Sequence, residues 1–163
     1  MDKLDRQILE CLVNNARVNA TTIGDKIGLS TSSVIERIRR MERSGLIQQY
    51  TTLVDLEALG RTITAFISVR LEHPKYNEIF EEMIRRHPDI AECHYIAGDV
   101  DYLLKIVTAS SKTLEKLLAY IKSIDGASWT RTLLVLSTVK NELSALPALE
   151  QFPEEGAKRN HLD

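Results

Sequence analysis

The residues between Thr31 and Arg43 carry side chains suited to contacts with a nucleic acid. Short hydroxyl side chains come first, and four arginines follow within seven residues (Arg37, Arg39, Arg40 and Arg43). An arginine binds two acceptors of a guanine base at once, and it also binds phosphate oxygens. A helix has this order when its first turn enters the major groove of duplex DNA and its later turns follow the backbone.

We therefore predict two sets of DNA contacts on this segment. The predicted contacts to base edges are Thr31, Ser32, Ser33, Glu36 and Arg37. The predicted contacts to phosphates are Arg39, Arg40 and Arg43, together with backbone N–H groups beside Ser30. Simpler alternatives stay open. Ser30 suits a helix cap, and Glu36 is spaced to pair with Arg39 or Arg40 on a solvated helix face.

Apolar periodicity and capping residues predict that this segment is the third of three helices. The first runs over about Lys3–Asn14 with Asp2 as its N-cap, and the second begins after Asn19 and ends at Gly28. A fresh cap at Ser30 leaves a tight turn before the third helix. The pattern is that of a helix-turn-helix. It predicts a domain over residues 1–50, with the motif at about 20–39, and a linker over 51–61.

The remaining residues predict a different architecture. Alternating or continuous apolar runs predict strands at 62–71, 90–97, 102–108 and 129–139, with an amphipathic helix after the first and third. The order β-α-β-β-α-β predicts a ferredoxin-like domain over 62–142, with both helices on one face of an antiparallel sheet. Phe66, Tyr95 and Leu134 are predicted on the uncovered face, which we expect to mediate dimerisation.

Composition limits the function classes. Residues 1–50 hold eight basic and six acidic residues, whereas the rest of the chain holds 13 and 17, so the basic charge lies at one end. The N-terminus has no apolar stretch, and no apolar run approaches about 18 residues, so we expect neither a signal peptide nor a membrane span. Two distant cysteines and four histidines without metal-ligand spacing favour a reducing cytoplasm and no metal site.

The assembled motifs resemble those of the Lrp/AsnC family of transcriptional regulators. They are Asp2-x-x-Asp5-x-x-Ile8-Leu9, Asn15-Ala16-Arg17, Gly28-Leu29-Ser30, Arg37-Ile38-Arg39-Arg40-Met41-Glu42-x-x-Gly45-Leu46-Ile47, Gly98-Asp99-x-Asp101-Tyr102 and Thr130-Arg131-Thr132. The resemblance covers about residues 2–142. It implies an α+β protein in which a winged helix-turn-helix precedes the ferredoxin-like domain. It also implies a cytoplasmic bacterial or archaeal regulator with no cofactor, a homodimer that assembles further to an octamer, and a palindromic operator in double-stranded DNA.

The resemblance further implies an amino-acid effector beside the Gly98–Tyr102 turn, at an interface between dimers. Asp99 or Asp101 would accept hydrogen bonds from the ammonium group, and backbone N–H groups at Gly98 would bind the carboxylate. The predicted side-chain pocket is formed by Ile96, Tyr102, Leu104 and Ser110. Ordinary turn chemistry explains Gly98-Asp99 equally well, and Asp101 alternatively holds the hairpin. Leucine-responsive members have an aspartate at the place of Ser110, which argues against leucine as the effector.

Two other classes of protein compete with a regulator. An enzyme is disfavoured because no phosphate-binding glycine loop, CxxC, HExxH or recognisable catalytic triad spacing is present. A module that binds protein through its helix-turn-helix would lack salt-dependent affinity for DNA. The C-terminal tail, 143–163, is expected to be poorly ordered past about Phe152 or to dock on a neighbour.

Overall fold

The computed structural model describes residues 1–151, which divide into a helical unit and a sheet unit. The helical unit comprises Met1–Leu53 together with the chain from Asn141 onward, and the sheet unit is Val54–Lys140. The expected disorder or docking beyond Phe152 therefore lies outside the described residues. No helix within residues 1–151 has the length and apolarity needed to cross a bilayer.

Three helices form the first part of the helical unit: α1 (Lys3–Asn14), α2 (Ala20–Ile27) and α3 (Thr31–Arg43). The predicted N-caps are confirmed, because the side chains of Asp2, Asn19 and Ser30 each accept a backbone N–H three residues ahead. One apolar stripe from each helix fills a common core, in which Ile8, Ile23 and Val34 are almost fully buried.

Two glycines shape the turn between α2 and α3. Gly28 ends α2 in the left-handed region (φ 75°), which glycine adopts without steric cost. Gly24 lies where the turn folds back on the helix, and its carbonyl accepts the N–H groups of both Gly28 and Leu29. A Cβ on Gly24 would lie only 2.4 Å from the carbonyl oxygen of Leu29. The tight turn therefore depends on the missing side chain.

The chain on either side of the sheet unit is irregular. No strand forms between Ser44 and Thr62, so the predicted wing has no hairpin among the described residues. Beyond Lys140 the chain returns to the helical unit, where Leu146 packs against the core and Arg6 Nε donates to the Pro147 carbonyl over 2.7 Å. A single 3-10 turn follows at Leu149–Gln151.

Four antiparallel strands make up the sheet, in the order β2-β3-β1-β4. They are β1 (Ile63–Leu71), β2 (Ile90–Tyr95), β3 (Tyr102–Thr108) and β4 (Ala127–Leu134). Two helices, α4 (Asn77–Arg85) and α5 (Ser111–Lys122), connect them, and a 3-10 turn at Pro74–Tyr76 precedes α4. The predicted α+β class is confirmed, with a helix-turn-helix followed by a β-α-β-β-α-β unit.

Two strands are shorter than predicted. β2 stops at Tyr95 because the N–H of Ile96 already closes the hairpin by donating to Asp101. β4 ends at Leu134, and its contact with β1 closes with a hydrogen bond from the N–H of Val135 to the Thr64 carbonyl, near the start of β1.

Strand register decides which side chains the helices cover. Ala65, Ile67 and Val69 of β1 point into the core with α4 and α5, whereas Phe66 between them faces the uncovered side with its partner Leu133. The predicted positions of Tyr95 and Leu134 on that side are wrong. Tyr95 pairs with Tyr102, whose ring centroid lies 5.2 Å away, and Leu134 pairs with Ala65, so both belong to the helix side.

We predict that Gly24→Ala lowers the free energy of unfolding of the helical unit by about 1–3 kcal/mol, because the added carbon overlaps the Leu29 carbonyl. Urea unfolding followed by circular dichroism measures this change. Lys26→Ala alters an exposed residue of the same helix and is the control, with an expected change within about 0.5 kcal/mol. An unaltered urea midpoint for Gly24→Ala would contradict the steric account.

Candidate functional site

The first turn of α3 presents a cluster of exposed hydroxyl groups. Ser30 Oγ accepts the backbone N–H of Ser33 over 3.2 Å and lies 2.8 Å from the Ser33 hydroxyl and 3.1 Å from that of Ser32. Thr31 Oγ1 donates to Thr21 Oγ1 of α2 over 3.2 Å. Ser30 is therefore a cap, and the hydroxyls of Thr31 and Ser32 lie at the exposed start of the helix.

Glu36 and Arg43 form an ion pair at 3.1 Å, and about two-thirds of each side chain is exposed. The predicted alternative partners of Glu36, Arg39 and Arg40, are not the ones observed. Exposed pairs contribute roughly 0–1 kcal/mol, so Glu36 and Arg43 exchange this bond for others at little cost.

Arg37 lies between the two aspartates at the start of α1 and only 11% of its side chain is exposed. Its Nη1 donates to Asp2 over 2.7 Å and to Asp5 over 2.8 Å. A base contact would withdraw the guanidinium from both aspartates and leave the buried Asp5 carboxylate with Arg40 as its one remaining basic partner among the described residues. The predicted guanine contact of Arg37 would therefore compete with this buried pairing. This residue joins α3 to α1.

Burial and charge act in opposite directions on this cluster. Burial disfavours the charged form of Asp2, but hydrogen bonds from Arg37 and from the Asp5 backbone outweigh it and lower the pKa of Asp2. The same two aspartates raise the pKa of Arg37 against the effect of its own burial. Both groups are therefore ionised at neutral pH.

Arg39 and Arg40 lie on the exposed side of α3. Arg40 is half-exposed, and its Nη2 donates to both carboxylate oxygens of Asp5, at 2.8 and 2.9 Å. Arg39 has no ion-pair partner within residues 1–151. The predicted phosphate contacts thus differ in their surroundings: Arg39 is exposed without an ion pair among the described residues, Arg40 is bonded to Asp5, and Arg43 is in an exposed pair.

Asp2 and Asp5 are the residues of this site that the sequence did not assign to it. The Asp-x-x-Asp spacing predicts a capping box, and the box is present, since each aspartate accepts the backbone N–H of the other. The additional bonds to α3 connect residues more than 30 positions apart in the chain, and no local spacing indicates them.

Hydrogen bonds to β1 hold the Gly98–Tyr102 turn in place. Asp101 Oδ2 accepts the N–H of Leu71 over 2.7 Å, and its own N–H donates to Val69, so this carboxylate holds the hairpin. The guanidinium of Arg70 donates to the Asp99 carbonyl. The Asp99 carboxylate has no partner within the described residues, and Gly98 and Asp99 are exposed.

Three of the predicted pocket residues have structural roles. Tyr102 and Leu104 point with Ile106 into the core between sheet and helices, and Tyr102 donates its hydroxyl to Glu81 over 2.9 Å. Ser110 caps α5 by accepting the N–H of Thr113. Ile96 lies at the end of the hairpin, whereas alternation along β3 turns Tyr102 and Leu104 towards the helices.

The sheet unit also has an open groove between α4 and β2 that the sequence did not indicate. Its volume is about 430 Å³, and its walls include Glu81, Arg85, Cys93 and Tyr95. Burial raises the pKa of Cys93, and the nearby Glu81 carboxylate raises it further, so this thiol is uncharged at neutral pH. No group of metal-binding side chains occurs in the described part of the chain.

Comparisons with known proteins agree with both halves of this description. The AsnC-type helix-turn-helix domain matches residues 1–42, and the Lrp/AsnC ligand binding domain matches residues 64–145. The HTH-type transcriptional regulator FL11 of Pyrococcus horikoshii is 37% identical over 90% of this chain and 96% of its own length. The leucine-responsive regulatory protein of Escherichia coli strain K12 is 34% identical over 86% of this chain and 87% of its own.

A solved structure shares the fold over nearly the whole chain. It is a transcriptional regulator of Neisseria meningitidis in complex with L-methionine, with a TM-score of 0.85 and 26% identity over 89% of this chain and 96% of the other. The relatives are regulators and not enzymes, in agreement with the prediction that this chain has no catalytic function. The chain belongs to the Lrp/AsnC family of transcriptional regulators.

Proposed function

We propose that this regulator binds a specific DNA sequence through α3 and responds to an amino acid bound by its sheet unit. The observation that carries the proposal is the division of α3 into two sides. Val34 and Met41 are buried in the core, whereas the opposite side exposes hydroxyls in the first turn and Arg39, Arg40 and Arg43 beyond it. That surface fits base edges at its beginning and phosphates along its length.

A single helix makes a small contact, so specific binding favours two copies of the chain. Two α3 helices about 34 Å apart would occupy successive major grooves on one side of the duplex and select a palindromic site. The sheet unit supports this arrangement. Its uncovered face has Phe66 and Leu103 near the centre and Trp129 and Leu133 on β4, with the two β4 residues 44% and 47% exposed. We propose that two such faces pack together, and that dimers assemble further towards an octamer.

The effector proposal concerns the exposed end of the hairpin. The unpartnered Asp99 carboxylate and the N–H groups of the turn complement the ammonium and carboxylate groups of an amino acid. The methionine complex of the Neisseria regulator supports this ligand class. Glu81 and Arg85 in the groove offer the same pair of charges and make the groove the alternative location.

We predict that Arg39→Ala weakens binding to every duplex and reduces the slope of log Kd against log salt by about 0.9, the amount expected for one lost phosphate contact. Fluorescence anisotropy across a salt series measures the slope. Arg86→Ala removes an exposed arginine from the sheet unit and serves as the control. Equal slopes for Arg39→Ala and the unmodified protein would refute the phosphate contact.

We predict that Leu133→Asp converts the dimer into monomers, because it places a charge on the uncovered sheet face. The neighbouring Leu134 is similarly exposed, at 55%, but points to the helix side, so Leu134→Asp should leave the dimer intact. Sedimentation velocity reports the mass of each variant. Dimerisation through another surface is indicated if Leu133→Asp remains dimeric.

We predict that at least one of the twenty amino acids raises the melting temperature of the protein, since a ligand that binds only the folded state stabilises it. Asp99→Asn should abolish this shift, whereas Arg85→Ala should retain it. The reverse pattern places the ligand in the groove between α4 and β2. The absence of a shift with all twenty amino acids counts against an amino-acid effector.

A further inference from the structure

We propose that Asp5 is a positioning residue that determines how the arginines of α3 meet DNA: it holds Arg37 away from the groove and fixes Arg40 for a phosphate contact. The proposal rests on the proposed function of α3. It assigns a role in recognition to a buried carboxylate of α1.

The geometry of Asp5 supports two separate tasks. Its side chain is 4% exposed, and it accepts hydrogen bonds from the Asp2 backbone, from Arg37 Nη1 and twice from Arg40 Nη2. The two guanidinium groups end in different surroundings. The Arg37 side chain is 11% exposed, and that of Arg40 is 55% exposed.

Arg40 keeps donors that face outward. A guanidinium carries five N–H groups on three nitrogens, and the Asp5 carboxylate contacts only Nη2. The N–H groups on Nε and Nη1 have no partner within residues 1–151. An arginine held in this way has already lost most of its rotamer freedom on folding, so a phosphate that meets its free N–H groups orders it little further. Arg39 has no such ion pair among the described residues, so it contributes positive charge but its side chain is not held in one orientation.

Positioning and charge predict opposite effects when Asp5 is neutralised. Asp5→Asn keeps the shape of the side chain, but it removes a negative charge near the DNA and releases Arg40. Binding to random-sequence DNA depends mainly on charge and should stay equal or become tighter. Binding to a specific site depends on register, which phosphate contacts fix, and should weaken.

The experiment compares two duplexes: one selected by the unmodified protein from a random-sequence pool, and one of random sequence. The specificity ratio is the Kd for the random duplex divided by the Kd for the selected duplex. We expect Asp5→Asn to lower this ratio about tenfold, a loss typical of one charge-assisted hydrogen bond. A variant that is only less stable would lose affinity for both duplexes together.

Three further variants separate positioning from helix packing. Asp2→Asn removes a carboxylate that binds Arg37 but not Arg40 and retains a residue that caps helices well, so its ratio should stay within about twofold. Arg40→Gln should abolish the effect of Asp5→Asn when the two are combined. Arg40→Lys keeps the charge and leaves Asp5 unchanged, but lacks the planar donors that bind carboxylate and phosphate together, so its ratio should also fall.

An unaltered ratio in Asp5→Asn would overturn the proposal, as would equal losses in Asp5→Asn and Asp2→Asn or a loss that persists in the Arg40→Gln background. If Asp5→Asn does not fold, Arg40→Lys decides the question, and an undiminished ratio there overturns the proposal. Failure of the unmodified protein to select any duplex would instead contradict the proposed function of α3.

Discussion

A guanidinium group taken out of water requires a carboxylate beside it, and this requirement organises the helical unit. Arg37 meets it with Asp2 and Asp5, which cap α1, so the start of α1 is fixed against the middle of α3. A buried charge without compensation is strongly destabilising, and here two carboxylates share the compensation of one guanidinium. Once this contact is in place, Val34 and Met41 face the core, and the side of α3 that carries the hydroxyl groups and the exposed arginines faces outward.

Local signals in the sequence are sufficient to predict the helices and strands and their order. Capping by Asp2, Asn19 and Ser30 depends on residues three positions apart, and Gly28 ends a helix by its own conformation. The role of Arg37 was not predictable in the same way, since its partners are 32 and 35 residues distant. Leu133 and Leu134 show the same limit: they are adjacent and identical in type, and only their pairing with β1 assigns them to opposite faces.

The predicted effector residues illustrate how a fold uses motif residues for its own stability. Asp101 holds the hairpin to β1, Tyr102 and Leu104 fill the core, and Ser110 caps α5. The stability of the fold is therefore enough to explain these motif residues. Asp99, the proposed ligand contact, is exposed, so a change of its side chain leaves the sheet undisturbed.

The return of the chain to the helical unit has a consequence for biosynthesis. Arg6 and Pro147 are 141 residues apart, yet the guanidinium of Arg6 donates a hydrogen bond to the Pro147 carbonyl. Leu146 also packs against the apolar core of the helical unit. A nascent chain leaves the ribosome with its N-terminus first, so the three helices emerge long before residues 146 and 147, which contact them, have been made. The part of the regulator that is translated first is thus the part that reaches its final packing last, after the whole sheet unit has been made.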